Sequence, residues 1–176
     1  MATYKNFLLS KFLKIEMKKH RDNGAIGALL DEYERAIEEL KKVISDISKD
    51  ELILKVDHET KDPECISIQT ILAHVVRAGY TYITEVRKHL GEEIDYAPNI
   101  LLESIQEYKA ALNKMFESNV KMTEDYPNIK IEEHDNNKKM LVRWGQSYDI
   151  EQLLEHAIVH ILRHRRQIER FLIRLR

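Results

Sequence analysis

Apolar side chains recur at alternating spacings of three and four residues along four long segments of this 176-residue chain. That spacing places them on one face of an α-helix. The segments cover roughly residues 24–47, 67–90, 98–122 and 149–176. In the first of them the repeating residues are Leu30, Tyr33, Ile37, Leu40, Ile44 and Ile47. Four helices with one apolar face each can bury those faces together, so we predict an all-α four-helix bundle.

Residues near the ends of these segments indicate where the helices begin. Asp149 is followed three residues later by Gln152, which is the spacing of a capping box. The second helix is predicted to open near Ser67, after the breaker residues 60–63, and the third near Pro98, because proline suits a first helical turn.

Residues 123–148 have a different pattern. Ile129 and Ile131 alternate with polar residues, Asn136 interrupts, and residues 140–144 are typical of a short strand. We predict a small hairpin or irregular segment before the last helix, followed by a loop through Gly145. A link this long permits a crossover, so periodicity alone leaves the up-down-down-up order open. No internal repeat is present, and we expect a single domain, residues 1–176, in which residues 1–22 carry no recognisable motif.

Composition narrows the function classes. The formal net charge of -2 gives no overall attraction to nucleic acids or membranes. The single cysteine, Cys65, excludes an internal disulfide framework and a thiolate zinc cluster, and fits a reducing compartment. Lys11 and Lys14 interrupt the apolar residues near the N-terminus, so we do not predict a signal peptide. We expect a cytoplasmic protein.

The eight histidines are the main candidates for chemistry, and three of them lie on the last helix. Residues four apart advance by about 400°, so successive histidines are offset by about 40°. His164 lies within the core-facing arc, His160 at its edge beside Gln167, and His156 further out. Two imidazoles at this spacing can reach one metal ion. The alternative for each alone is a histidine satisfied by neighbouring hydrogen-bonding groups.

A three-histidine catalytic site needs a third ligand, and His74 on the second helix fits. The small residues Ala78 and Gly79 are predicted to leave room beside its ring. His156 is a group bonded to a ligand, a surface histidine or itself a ligand. We interpret the remaining histidines as surface residues: His20, His58, His89 and His134.

Several of these residues together resemble the DinB family of helical metal-binding proteins. The resemblance rests on the stretch Ser67–Val75, on Trp144-Gly145, and on the stretch His156–Ile168. It implies an up-down-down-up four-helix bundle in which His74, His160 and His164 surround a divalent ion. Arg166 replaces the usual glycine of the family motif and is predicted to lie away from the site.

The resemblance says less about the reaction. Relatives include S-transferases that use bacillithiol or mycothiol and maleylpyruvate isomerases, and family members often pair as homodimers. Three neutral imidazoles leave an ion with open positions for water or substrate. We therefore predict a metal-dependent hydrolase or a low-molecular-weight-thiol S-transferase that binds zinc or nickel and a small molecule, with Gln167 or His156 bonded to the ligands.

Other classes fit less well. A carboxylate di-iron bundle needs Glu-x-x-His pairs, which are missing from the sequence. Cys65 lacks the surroundings of a nucleophile. The alternative function is a non-enzymatic binding or assembly module with a structural metal or none. Its main support is the arginines of the last helix, for which the acidic residues of the first helix offer partners. These arginines are Arg163, Arg165, Arg166, Arg170, Arg174 and Arg176.

Overall fold

The computed structural model describes residues 20–176. Most of them are helical, which confirms the predicted all-α class. The helices are α1 (Gly24–Val43), α2 (Lys49–Ile53), α3 (Ile68–His89), α4 (Ile105–Asp125) and α5 (Ile150–Leu175). Two strands, β1 (Met140–Leu141) and β2 (Ser147–Tyr148), and two 3-10 turns, Pro63–Cys65 and Asn136–Lys138, complete this range. Residues 1–19 of the N-terminal segment 1–22 lie outside the described residues.

Side-chain caps start the two helices that carry the candidate site. The predicted capping box of α5 is confirmed: Gln152 N donates to Asp149 Oδ1 at 2.8 Å, and Asp149 N donates to Gln152 Oε1 at 3.2 Å. α3 begins beside Ser67 as predicted, and the Ser67 hydroxyl caps it by accepting from Thr70 N at 3.1 Å. Each cap satisfies backbone N–H groups that the first helical turn leaves without partners.

Two predicted helix boundaries were wrong. The third long helix begins at Ile105 rather than near Pro98, because Ser104 is its cap and accepts from Glu107 N at 3.3 Å. Leu101, which the periodicity had included, is 54% exposed. The first helix ends at Val43, and a second, short helix follows, capped by Ser48. Ile47 is buried although it lies between these helices, so its apolar character reflects burial rather than helical position.

The four long helices share one apolar interior. α1 contacts α5 and α4, and α3 contacts α4 and α5. The largest fully buried side chains include Tyr33, Ile37, Leu40, Leu72, Tyr108, Leu112 and Met115. Burying such a side chain contributes about 1.5–3 kcal/mol, so this interior holds the site-bearing helices at fixed positions. Within residues 20–176, none of the helices has the length and apolar character needed to cross a membrane.

The hairpin lies later in the chain than predicted. β1 pairs antiparallel with β2, with Met140 opposite Tyr148, and Gly145 takes a φ of 83° in the turn between them. Ile129 and Ile131, whose alternation had indicated a strand, are half-buried against the core but outside any strand. The alternation of apolar and polar residues at 129–132 therefore reflects an irregular segment that packs one side against the core. The hairpin turn therefore includes Gly145 instead of preceding it.

Candidate metal centre

Three histidines from two helices converge where α3 packs against α5. His74 Nε2, on α3, lies 2.9 Å from His160 Nε2, on α5. His164 Nε2 lies 3.2 Å from the same His160 atom. The candidate ligand atoms of the three residues all lie within 4.8 Å of one another. The spacing of four residues puts His160 and His164 on one side of α5, and the packing of α3 on α5 brings His74 to them.

These separations fit the donor set of a small divalent ion. Zinc–imidazole bonds of about 2.0–2.1 Å at angles of 90–109° place neighbouring nitrogens about 2.9–3.3 Å apart. The two Nε2 separations, 2.9 and 3.2 Å, fall in this range. These two separations therefore match those of neighbouring ligands on a single metal ion.

Hydrogen bonds on the outer side of two rings define which nitrogen faces the cluster. His74 Nδ1 donates to Glu64 Oε2 at 2.8 Å, and His164 Nδ1 donates to Gln167 Oε1 at 3.0 Å. A neutral imidazole protonated at Nδ1 has its lone pair on Nε2. Both rings thus present lone pairs to the point where the three Nε2 atoms meet, which is the arrangement that ligating histidines adopt.

The contacts of the His160 ring further support a metal ion at this point. Its Nε2 faces the Nε2 atoms of both His74 and His164, and one N–H can donate to only one of them. Protons alone would leave one buried lone pair unmatched, at a cost of roughly 1–3 kcal/mol. A cation at this point satisfies all three nitrogens.

Burial also keeps the His160 and His164 rings neutral. Burial, and then the proximity of His164 and His74, lower the pKa of His160 from 6.5 to about 2. Burial and the proximity of His74 likewise lower the pKa of His164 to about 4, in a side chain that is only 4% exposed. Neutral imidazoles are the form that ligates metal, so these rings are ready to bind at neutral pH.

Glu64 was not among the predicted site residues. It lies in the 3-10 turn before α3, where its N–H donates to Asp62 Oδ1 at 2.9 Å. Its carboxylate accepts from His74 and also from Arg77, with which it forms an ion pair. No spacing rule connects an acidic loop residue to a histidine ten positions later, since the connection depends on how the loop folds back onto α3.

A cavity of about 390 Å³ opens onto the cluster beside His74 and His160. Aromatic rings form much of its wall: Tyr82, Trp144 and His156. The remaining lining residues are Arg77, Ala78, Thr81, Arg143 and Gln146. The volume suits a small molecule, because ligand pockets commonly measure about 300–1,000 Å³.

His156 lies in the cavity wall, outside the three-histidine cluster. Its ring centroid is 6.3 Å from that of His160 and 6.1 Å from that of Trp144, and its Nδ1 is 3.3 Å from Tyr148 Oη. Gln167 hydrogen-bonds a candidate ligand, whereas His156 contacts the candidate ligand His160 through its ring alone. The four histidines interpreted as surface residues are exposed: His20, His58, His89 and His134.

Two further expectations concern small residues near the site. Ala78 lines the cavity, but Gly79 does not give room to His74, because a methyl group at Gly79 would overlap the Met115 side chain of α4.

Cys65 is a free, half-buried cysteine. Burial raises the pKa of its thiol, which therefore stays protonated at neutral pH and is not a ready nucleophile.

Together these features define a helical protein with a candidate mononuclear centre for a divalent metal. The chain belongs to the DinB family, a metal-binding family, whose family model matches residues 17–175. No curated protein matches the chain.

Proposed function

We propose that His74, His160 and His164 bind one divalent metal ion, and that the protein is a metal-dependent enzyme. The observation that carries this proposal is the convergence of three Nε2 atoms, together with the hydrogen bonds by which Glu64 holds the His74 ring and Gln167 holds the His164 ring. Zinc and nickel both accept imidazole ligands, and either fits this site.

A catalytic role is favoured over a structural one by the donor set and by the cavity. Structural zinc sites are usually closed by four protein ligands, whereas three histidines leave a position open. His74 and His160 line the cavity, so the open position is accessible to a small molecule. When bound, such an ion supplies an activated water or thiol at neutral pH. The activity is a hydrolase or a low-molecular-weight-thiol S-transferase.

The residues of this chain have separate parts in that activity. Glu64 and Gln167 orient the ligand rings through their Nδ1 atoms. Tyr82, Trp144 and His156 form a wall that limits the access of water to a molecule bound beside His160. His156, whose pKa is lowered mainly by burial, is available as a neutral imidazole to accept a proton from a bound thiol or water.

The first prediction is that protein purified without an affinity tag contains about one divalent ion per chain. His160→Ala should lose the ion under conditions in which His156→Ala, a matched change one turn away on α5, retains it. Elemental analysis measures the metal content of the wild type and of both variants. A thermal-shift screen of the metal-loaded proteins against thiols, esters and amides reports the binding of small molecules. Less than about a tenth of an equivalent in the wild type, with no uptake after addition of zinc or nickel, would contradict the proposal.

The second candidate function is a non-enzymatic binding or assembly module with a structural metal. It is favoured by arginines of α5 that are exposed and form no ion pair within residues 20–176: Arg163, Arg166, Arg170 and Arg174. The expected acidic partners on the first helix are used only in part, because Arg165 pairs with Glu39 whereas Arg176 pairs with Glu51 of α2. A tightly held ion with no small-molecule binding would favour this alternative.

We further propose that the four long helices form an up-down-down-up bundle within a single domain of residues 1–176. Support for parallel α3 and α4 comes from contacts at both ends. Tyr108 Oη donates to Gln69 O at 3.0 Å near their starts, and Arg87 pairs with Asp125 at 2.7 Å near their ends.

Further contacts support the directions of the other two helices. Arg176, at the end of α5, donates to Asp46 O just beyond the end of α1, which is expected when these helices run parallel. Tyr82, late in α3, contacts His156, early in α5, as expected for antiparallel helices.

The protein is also proposed to act as a cytoplasmic homodimer. A reducing compartment would keep Cys65 in its free form. Apolar side chains on the outer face of α5, among them Val159 and Ile173, are 61% and 79% exposed and offer a surface for a second copy.

A further inference from the structure

The cavity beside the candidate metal centre has an unbalanced lining. Two arginines, Arg77 and Arg143, contribute to it, and no aspartate or glutamate does. Arg77 is already paired with Glu64. Arg143 forms no ion pair with any carboxylate in residues 20–176, so the cavity keeps one uncompensated positive charge in its wall.

The Arg143 guanidinium is also held in place. It lies 4.4 Å from the centroid of the Tyr96 ring, a distance typical of a cation–π contact. Most exposed arginines keep several rotamers, and ordering one on binding reduces affinity. Stacking on Tyr96 places this charge beside the cavity before any ligand arrives.

One buried carboxylate supports both parts of this arrangement. Glu85, on α3, is 7% exposed and accepts from Arg143 N at 3.1 Å and from Tyr96 Oη at 2.9 Å. Burying a carboxylate is costly unless it is hydrogen-bonded. Glu85 receives one hydrogen bond from the hairpin turn, through Arg143 N, and one from Tyr96. Glu85, on the helix that carries His74, therefore holds both the backbone of Arg143 and the Tyr96 ring beneath its guanidinium.

Aromatic rings form much of the rest of the cavity wall, with Ala78, Thr81 and Gln146 between them. Trp144 follows Arg143 in the hairpin turn, and its ring lies 5.7 Å from the ring of Tyr82. Trp144 Nε1 donates to Gln146 Oε1 at 3.0 Å, which fixes the indole orientation. Such a wall suits the uncharged body of a small ligand, with the guanidinium placed for one charged end.

We propose that the substrate of this site is a small carboxylate, whose carboxyl group binds Arg143 while its reactive end faces His74 and His160. A single uncompensated guanidinium balances one negative charge, which favours a carboxylate over a phosphate dianion, and the guanidinium matches carboxylate geometry with two parallel hydrogen bonds. This inference rests on the proposed function, because it assumes a metal ion with an open position.

The experiment compares two thiols that differ only in charge, 3-mercaptopropionate and 3-mercaptopropanamide, on cobalt-loaded protein. The thiolate-to-cobalt absorption band reports their binding without any assay of turnover. The carboxylate should bind about tenfold more tightly than the amide, as expected for one charge-assisted pair. In Arg143→Gln this preference should fall to about one, with affinity for the amide unchanged.

The control is Arg166→Gln, which removes the same charge from an exposed arginine on α5 outside this cavity and should keep the preference. Arg143→Met provides a second variant. Because Arg143 is exposed, this substitution should change the stability of the fold little. Equal affinity for the two thiols in the wild type would overturn the inference while leaving the proposed function intact. A preference that persists in Arg143→Gln and Arg143→Met would also overturn it. If cobalt binds but neither thiol produces the band, the open metal position is wrong and the inference falls with it.

Discussion

Glu64 and Gln167 each hydrogen-bond one candidate ligand, but the Glu64 side chain is charged and the Gln167 side chain is neutral. The Glu64 carboxylate accepts from His74 Nδ1 and also pairs with Arg77, while Gln167 offers a neutral oxygen to His164 Nδ1. A carboxylate makes the opposite ring nitrogen a stronger donor to a cation. His74 is therefore the ligand whose affinity depends most on a residue outside the cluster.

This difference leads to a prediction for Glu64→Gln. The amide can still accept from His74 Nδ1, but it loses the charge and the ion pair with Arg77. Metal affinity should fall by about 10–100-fold, the range found for groups bonded to metal ligands. Competition with a chromophoric chelator measures it. Glu59→Gln, an exposed acidic residue of the same loop, is the matched control, and equal affinities for the two variants would contradict the role assigned to Glu64.

At the scale of the elements, sequence periodicity predicted the helices that carry the site better than the segments between them. α3 and α5 have side-chain caps at Ser67 and Asp149 that can be read from the chain, and their apolar faces put His74, His160 and His164 on the correct sides. The position of Glu64 and the hairpin turn at Arg143 could not be predicted, since both depend on tertiary contacts between irregular segments and α3.

Gly79 shows the same limit and supports a prediction about the contact of α3 with α4. Alanine is the better helix former by about 1 kcal/mol, but its methyl group would overlap Met115, which is fully buried. Overpacking costs about 1–3 kcal/mol, so Gly79→Ala should lower the free energy of unfolding by about 1 kcal/mol. Urea denaturation measures this change.

The control for this contact is the same substitution in a Met115→Ala background. With the Met115 side chain truncated, the added methyl group has space, and the helix propensity of alanine should then stabilise the protein. A similar destabilisation in both backgrounds would show that the contact with Met115 is not the cause.

At the scale of the whole molecule, the proposed homodimer requires a surface that binds a second copy. The exposed apolar residues of α5 lie on its outer face, while its inner face carries the ligands and packs against α1 and α3. Pairing through α5 would bury these exposed apolar residues.

We therefore predict a homodimer that Val159→Glu or Ile173→Glu shifts towards the monomer, because a charge would be buried at the centre of the contact. Sedimentation at micromolar concentrations measures the state. Leu141→Glu, a change at another exposed apolar position, is the control and should leave the dimer intact. A 20.8 kDa species for the wild type across this range would exclude the dimer.

The short hairpin between α4 and α5 separates two tasks within one small scaffold. The candidate ligands lie on long helices fixed by the core, whereas Arg143 and Trp144 lie in a turn of a few residues. That turn is attached to α3 by a backbone hydrogen bond to Glu85 and by the contact of Trp144 with Tyr82. Mutations in that turn can therefore change which molecules fit while the three imidazoles keep their places. After gene duplication, a lineage built on this scaffold could acquire a new specificity through very few substitutions and would not need to rebuild its metal centre.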